Sequence, residues 1–285
     1  MQEGFVGVGL RPTHYSHLES RLSETSPQIL PKWFEAISEN YMDSEGRPLE
    51  MLLKVRAKFP VALHGVSLSI GSTDPLDEKY LARLKNLSEK VEPFLVSDHL
   101  CWTGAHGRNL HDLLPLPFTK ECVSHVASRI ARVQDFLGRE LVLENVSTYV
   151  RFKENDFSEW EFLNEICAKT GAKLLLDINN IYVNSANHGF DPYQYLDGVR
   201  KTNVAQIHLA GFTDMGDYLF DTHSKPVHEP VWNLFAHVAQ ALASVPVLIE
   251  WDEDIPPFET LEGEVRRALE VSNAARGLRL VKGPQ

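Results

Sequence analysis

The sequence predicts a single (β/α)8 TIM barrel over residues 1–285. Three observations carry that reading. Eight short β-rich runs alternate with segments of helical spacing, no low-complexity linker divides them, and a polar residue of narrow chemical type closes each run.

The runs, in order, are Phe5 to Leu10, Trp33 to Ser38, Val61 to His64, Phe94 to Asp98, Glu140 to Leu143, Lys173 to Leu176, Val204 to His208 and Val245 to Glu250. Several, such as KLLLDI and VPVLIEW, are almost continuously apolar, the pattern of parallel strands covered on both faces. Between them, Leu76 to Lys90 places Tyr80, Leu81, Leu84 and Leu87 on one stripe, and Thr119 to Leu137 does the same with Val123, Val126, Ile130 and Val133 before Gly138. Trp160 to Lys169 precedes Gly171, and Val231 to Leu242 leads into the last strand. An open doubly wound sheet is the competing architecture. It would place a Gly-rich dinucleotide turn after an early strand, and GVGLRP lacks that spacing.

With 39 acidic against 28 basic residues, the net charge of -11 opposes a phosphate-tracking surface, so no nucleic-acid partner is expected. The three cysteines, Cys101, Cys122 and Cys167, have no metal-finger or CxxC spacing, which suits a reducing compartment. The N-terminal residues lack the form of a signal peptide, and no apolar run is long enough to cross a membrane. A cytoplasmic protein without membrane contact is therefore expected.

The strand ends carry the chemistry. They are Arg11, Glu39 with Asn40, His64, Asp98 with His99, Glu144 with Asn145, Asp177 with Asn179, His208, and Glu250 with Asp252. In a barrel these ends converge on one face, where catalytic groups sit. Each alone has a structural reading: a satisfied core histidine for His64, a helix N-cap for Asp98. A carboxylate ending a buried strand, as at Glu144 and Glu250, costs several kcal/mol unless it is paired or on a metal. His, Asp, Glu and Asn recurring at equivalent places, with hardly any Lys, form a metal-binding set.

Two connections are long, INNIYVNSANHGFDP after the sixth run and GFTDMGDYLFDTHSKPVHEP after the seventh. In the second, Asp221 and His223 are two apart, so both could grip one ion if the backbone is extended; an Asx-turn with a surface histidine is the structural alternative. His188, His228 and His237 are assigned to surface or supporting roles. The segment CWTGAHGRNLHDLLPLPFT after the fourth run reads as a lid or substrate wall.

The motifs ALHGVSLSIGS, SDHLCW, LENVS, LLDINN, QIHLAGF, DTHS and IEWD, in this order, resemble the multinuclear non-haem iron-dependent oxidative enzymes, a family including the methanobactin-biosynthesis oxidase. The resemblance runs from GVGLRP to IEWD. It implies a xylose-isomerase-like barrel with two or three iron ions, O2 as co-substrate, and oxidation of cysteine residues in a ribosomally synthesised precursor peptide. It also implies a partner protein that binds the peptide leader. Carried over by position, His64, His99 and Glu144 would hold one iron. Glu144 would bridge to a second, held by Asp177, His208 and Glu250, and Asn179, Asp221 and His223 would hold a third. Asp252, two residues beyond Glu250, is the candidate for proton transfer; the other reading is a surface acid beside Glu253 and Asp254. The alternative function is a redox-neutral divalent-metal enzyme on the same barrel, a sugar isomerase or epimerase or a phosphodiesterase, because nitrogen and oxygen ligands do not separate iron from zinc.

Overall fold

The computed structural model describes residues 4–24 and 29–277. Residues 1–3, 25–28 and 278–285 of the span expected to form one domain lie outside the described residues. Eight parallel strands close a barrel: β1 Val6–Gly9, β2 Phe34–Ile37, β3 Val61–Gly65, β4 Val96–His99, β5 Val142–Glu144, β6 Lys173–Asp177, β7 Val204–Leu209 and β8 Val247–Ile249. Each pairs with the next in sequence, and β8 closes on β1. All eight coincide with the runs read from sequence to within two residues at either end.

Helices cover the outside. Those at Glu78–Val91, Lys120–Leu137 and Glu159–Thr170 match the predicted stripes, which are buried against the strands. Asp77 caps the first by accepting from the backbone N–H groups of Lys79 and Tyr80 at 2.8 and 3.1 Å. Gly138 ends the second at φ 68°, a left-handed conformation glycine adopts without a Cβ penalty. Helices at Tyr15–Leu22, Arg47–Arg56, Glu229–Val238 and Phe258–Ala275 also belong to the layer, the third of them falling on the expected Val231 to Leu242 segment.

Two expected loops are ordered differently. The INNIYVNSANH segment is a helix, Ile178–His188, begun by the Asp177 side chain accepting from Asn180 N at 2.6 Å. The segment after β4 folds as a β-hairpin, Trp102–Ala105 with Arg108–Leu114, whose Leu113 reaches the barrel mouth. Asp98 is no helix N-cap: it lies within β4 and accepts from the backbone N–H groups of His99 and Leu68.

Inside the barrel the floor is apolar and the upper layer polar. Trp33, Ala62 and Leu248 pack together at the bottom with Phe5 and Phe94 against them. Gly7 makes room there, since a Cβ would meet the Trp33 ring. Two residues further along, Gly9 leaves space for the Arg11 guanidinium, whose Nη1 stands 2.7 Å from where a Cβ would be. Strand register then sets polar residues side by side: His99 opposite Glu144, and Asp177 opposite His208.

Candidate metal centre

The carboxyl ends of β3 to β8 deliver His64, His99, Glu144, Asp177, His208 and Glu250 to one buried cluster, none of them more than 8% exposed. Donor atoms of His64, His99 and Glu144 all lie within 4.8 Å of one another, as do those of Glu144, Asp177, His208 and Glu250. Glu144 therefore belongs to both groups. That arrangement follows from adjacent strands holding inward side chains at one level.

The tautomers of the first pair can be worked out. His99 Nδ1 lies 3.0 Å from the Gly65 carbonyl, which only accepts, so the ring donates there. His64 Nδ1 lies 2.8 Å from the Ser97 hydroxyl, and that hydroxyl is in reach of the Leu63 carbonyl at 3.4 Å. Turned to Leu63, Ser97 donates there and accepts from His64. His99 thus carries its proton on Nδ1 and turns an Nε2 lone pair inward, and His64 does the same when Ser97 is turned to Leu63. These lone pairs face Glu144 Oε2 at 3.2 and 3.4 Å, yet that oxygen has no hydrogen-bond partner. Nitrogen and oxygen donors sit about 2.0–2.2 Å from a divalent ion, so neighbours in one coordination shell lie about 3–3.5 Å apart. Three acceptors converging at that spacing fit a cation between them. One proton on Glu144 would serve only one of the two rings.

The second group shows the same deficit. Asp177 Oδ2 is buried without a partner, while its Oδ1 is used by the helix cap. Asn145 braces the strands here, donating from Nδ2 to the Asp177 carbonyl at 3.0 Å and accepting from Asp177 N at 2.9 Å. His208 turns Nδ1 to Glu250 Oε2 at 2.8 Å and Nε2 toward Glu35 Oε2 at 3.3 Å.

His223 joins the two ends of the cluster. Its Nε2 is 2.8 Å from Asp221 Oδ1, and Asn179 Nδ2 donates to the same oxygen at 2.8 Å, so the three residues expected to form a third site are contiguous. Asn179 Oδ1 is buried and unpartnered. The Nδ1 edge of His223 instead groups with Glu250 and Asp252, each at 3.2 Å. The loop is not extended as the sequence argument required: His223 has φ 44°, a strained conformation for a residue with a Cβ. Asp252 lies at the pocket wall, where Arg11 Nη2 donates to its Oδ1 at 2.6 Å.

Burial governs the protonation of the cluster. It pushes Glu144 well above the usual carboxylate range and lifts Asp177 to about 7. Burial and the neighbouring rings lower His64, and burial brings His99 down to about 4 despite the Glu250 charge. His208 and His223 go the other way: burial opposes their charge, but Glu250 with Glu35 around one and Asp221 with Glu250 around the other raise both. Arg11 is the one buried Lys or Arg among the described residues, against buried Glu35, Asp98, Glu144, Asp177 and Glu250. A cluster with this excess of acids suits bound cations.

Two supporting residues escaped the sequence reading. Glu35 and Gln206 are buried beneath the cluster, hydrogen-bonded to each other and both in reach of His208 Nε2. Gln206 was findable, since it lies two residues before His208 and strand side chains alternate. Glu35 sits in mid-strand, where strand-end logic does not look.

The sequence model of the family described as "RiPP precursor modification enzyme MbnB/TglH/ChrH" matches residues 5–273. A UPF0276 protein of Anaeromyxobacter sp. (strain Fw109-5) is 52% identical over 270 residues, covering 94% of this chain and 93% of that one. A UPF0276 protein of Caulobacter vibrioides (strain NA1000 / CB15N) is 51% identical over 263 residues, 92% of each chain. Among solved structures, an L-ribulose 3-epimerase superposes with TM-score 0.60 at 16% identity, covering 100% of both chains. Endonuclease IV from Thermus thermophilus does so with TM-score 0.57 at 15% identity, covering 95% of this chain and 98% of that one. At these identities the structural likeness shows the xylose-isomerase-like barrel alone.

Proposed function

The chain belongs to the family of RiPP precursor modification enzymes, and from that membership we propose that it is a multinuclear non-haem iron oxidase acting on cysteine residues of a ribosomally synthesised precursor peptide. The observation that carries the metal part is the convergence of His64 and His99 Nε2, at 3.2 and 3.4 Å, on the buried and unpartnered Glu144 Oε2. His64, His99 and Glu144 would hold one iron, and Glu144, Asp177, His208 and Glu250 a second. Asn179, Asp221 and His223 would hold a third, with Glu250 and Asp252 as the competing set for His223. Iron bound there supplies a site for the substrate thiolate and the electrons that O2, the co-substrate, requires.

The chain's own residues prepare the rest. A pocket of about 190 Å³ opens over the cluster, walled by Ile37, Val66, Leu113 and Val146. That is smaller than the ~300–1,000 Å³ of sites for drug-sized ligands, so it admits a side chain or two while the rest of a peptide stays outside. Asp252 stands at its wall as a carboxylate with its side chain 39% exposed: partial desolvation and Glu250 work against ionisation, but the contacts with His223 and Arg11 win and lower its pKa. It can therefore accept a proton, with the Arg11 ion pair fixing the direction in which its free lone pairs point. A separate protein presenting the peptide leader remains part of this proposal.

The test is metal content and iron spectroscopy on protein purified without oxygen. Two or more irons per chain, with a coupled mixed-valence signal after controlled oxidation, is the expected result. Zinc or manganese at full occupancy under iron-replete expression, with no redox signal, would overturn it in favour of a redox-neutral enzyme.

A further inference from the structure

A second cavity, of about 170 Å³, lies outside the metal cluster between the segment 148–158 and the helices Ile178–His188 and Pro192–Gly198. Its walls are aromatic, with Phe118, Phe157, Trp160, Phe190 and Tyr195 contributing rings. The walls are fixed in place. Trp160 packs over Gly198, where a Cβ would collide with the indole, and stands edge-on to Tyr195 at 5.6 Å between centroids. Phe190 stacks on Tyr195 at 6.1 Å between centroids.

The floor is polar, a tyrosine hydroxyl within reach of a carboxyl. The Tyr195 hydroxyl is buried and has no aligned hydrogen-bond partner, although the residue is only 1% exposed. Beside it stands the Glu159 carboxyl, which also lines the cavity. Arg151 at the rim is exposed and donates from Nη1 to the His188 carbonyl at 3.2 Å. Burial lifts Glu159 to about 7 against the opposing influence of Tyr195 and Arg151, so the carboxyl is short of positive charge.

Acceptors at the bottom and π-faces around the sides select a compact, donor-rich cation on a slim apolar stem. An ammonium has three donors and no acceptor, and aromatic faces attract it. The cavity also neighbours the metal pocket, the two sharing walls with one small cleft between them. Val146 lines both the metal pocket and a small intervening cleft, and that cleft shares Thr148, Phe118 and Glu159 with the aromatic cavity. The strand-end segment that begins with Glu144 thus leads from one site into the other. We propose that this cavity binds the side chain of a lysine in the same peptide whose cysteine enters the metal pocket. The identity of the occupant rests on the peptide-modifying function; the amine chemistry does not.

The experiment follows the indole N–H resonance of Trp160, assigned by its loss in Trp160→Phe, in the full chain. The probes are N-acetyl-lysine methylamide, N-acetyl-norleucine methylamide, which keeps the stem and lacks the ammonium, and n-butylammonium. Saturable shifts with the lysine probe and none with norleucine are expected. Glu159→Gln should weaken lysine binding at least tenfold while metal content and melting temperature stay at wild-type values. Equal binding of norleucine by the wild-type protein overturns the proposal without recourse to any variant. So does undiminished lysine binding by a folded Glu159→Gln. Binding of n-butylammonium with rejection of the lysine probe would make the ligand a free amine and overturn the peptide assignment. A protein that binds lysine but lacks redox-active metal would sink the oxidase reading and leave this one standing.

Discussion

Replacing Asp177 by Asn should stabilise the metal-free protein and cripple metal binding at the same time. The side chain is wholly buried, and its two oxygens have separate tasks: Oδ1 caps the helix Ile178–His188, and Oδ2 faces the cluster without a partner. Asn caps helices as well as Asp does, so the substitution keeps the cap and removes only the charge. Burial, with Asp221 and Glu250 adding to it and His223 and His208 opposing it, raises the carboxyl from 3.8 to about 7. A carboxyl raised on folding contributes stability below its unfolded value that is lost as pH rises through the folded one. Wild-type protein stripped of metal should therefore lose stability between about pH 4 and 8, by on the order of 4 kcal/mol at most. Because the surrounding acids share that cost, relief in the variant should be about 2–4 kcal/mol at pH 8, or about 3–7 °C in Tm. With metal the order reverses: the carboxylate becomes a ligand, and its loss should weaken binding by more than the ~10–100-fold expected for a supporting contact. Calorimetric melts of chelator-treated and metal-loaded protein, taken from pH 5 to 8 beside elemental analysis, measure both arms. A metal-free variant less stable than wild type at pH 8, or one that keeps its full metal content, would refute the reasoning.

His99→Ala should remove one metal equivalent and abolish product formation while Tm changes by only a few degrees, since the ring sits at the mouth and outside the helix-sheet core; full activity under saturating iron would show that His99 is not a ligand. Gly9→Ala puts a methyl group 2.7 Å from Arg11 Nη1 and should displace the guanidinium from Asp252. Losing that partner raises the Asp252 pKa, so the acid limb of the pH–rate profile should move upward, and an unmoved limb would separate Asp252 from the proton transfer. Asn145→Ala removes both hydrogen bonds bracing β5 against β6 and should cost about 2–4 kcal/mol in chemical denaturation, with weaker metal binding. Truncating the Asp221 to His223 loop should remove one metal equivalent, and unchanged metal content would show that the pair is not a ligand.

What the amino-acid order alone determined was the barrel and the list of polar strand ends. Strands buried on both faces read as short apolar runs, and the residue after each run must turn toward the one face where a parallel barrel opens. His64, His99, Glu144, Asp177, His208 and Glu250 were legible for that reason. What required tertiary structure was everything set by distance between strands. Glu35 became visible only when closure brought β2 against the level of His208, because nothing local distinguishes a buried mid-strand acid from an edge one. The helix at Ile178–His188, read as part of a long connection, forms because Asp177 caps it and the barrel buries its Ile and Val residues. The choice of His223 between Asp221 and the Glu250–Asp252 pair depends on the left-handed backbone at that residue, which spacing cannot reveal. Periodicity reports which way a side chain points from its own strand; which group it meets there is decided by the closure of the sheet.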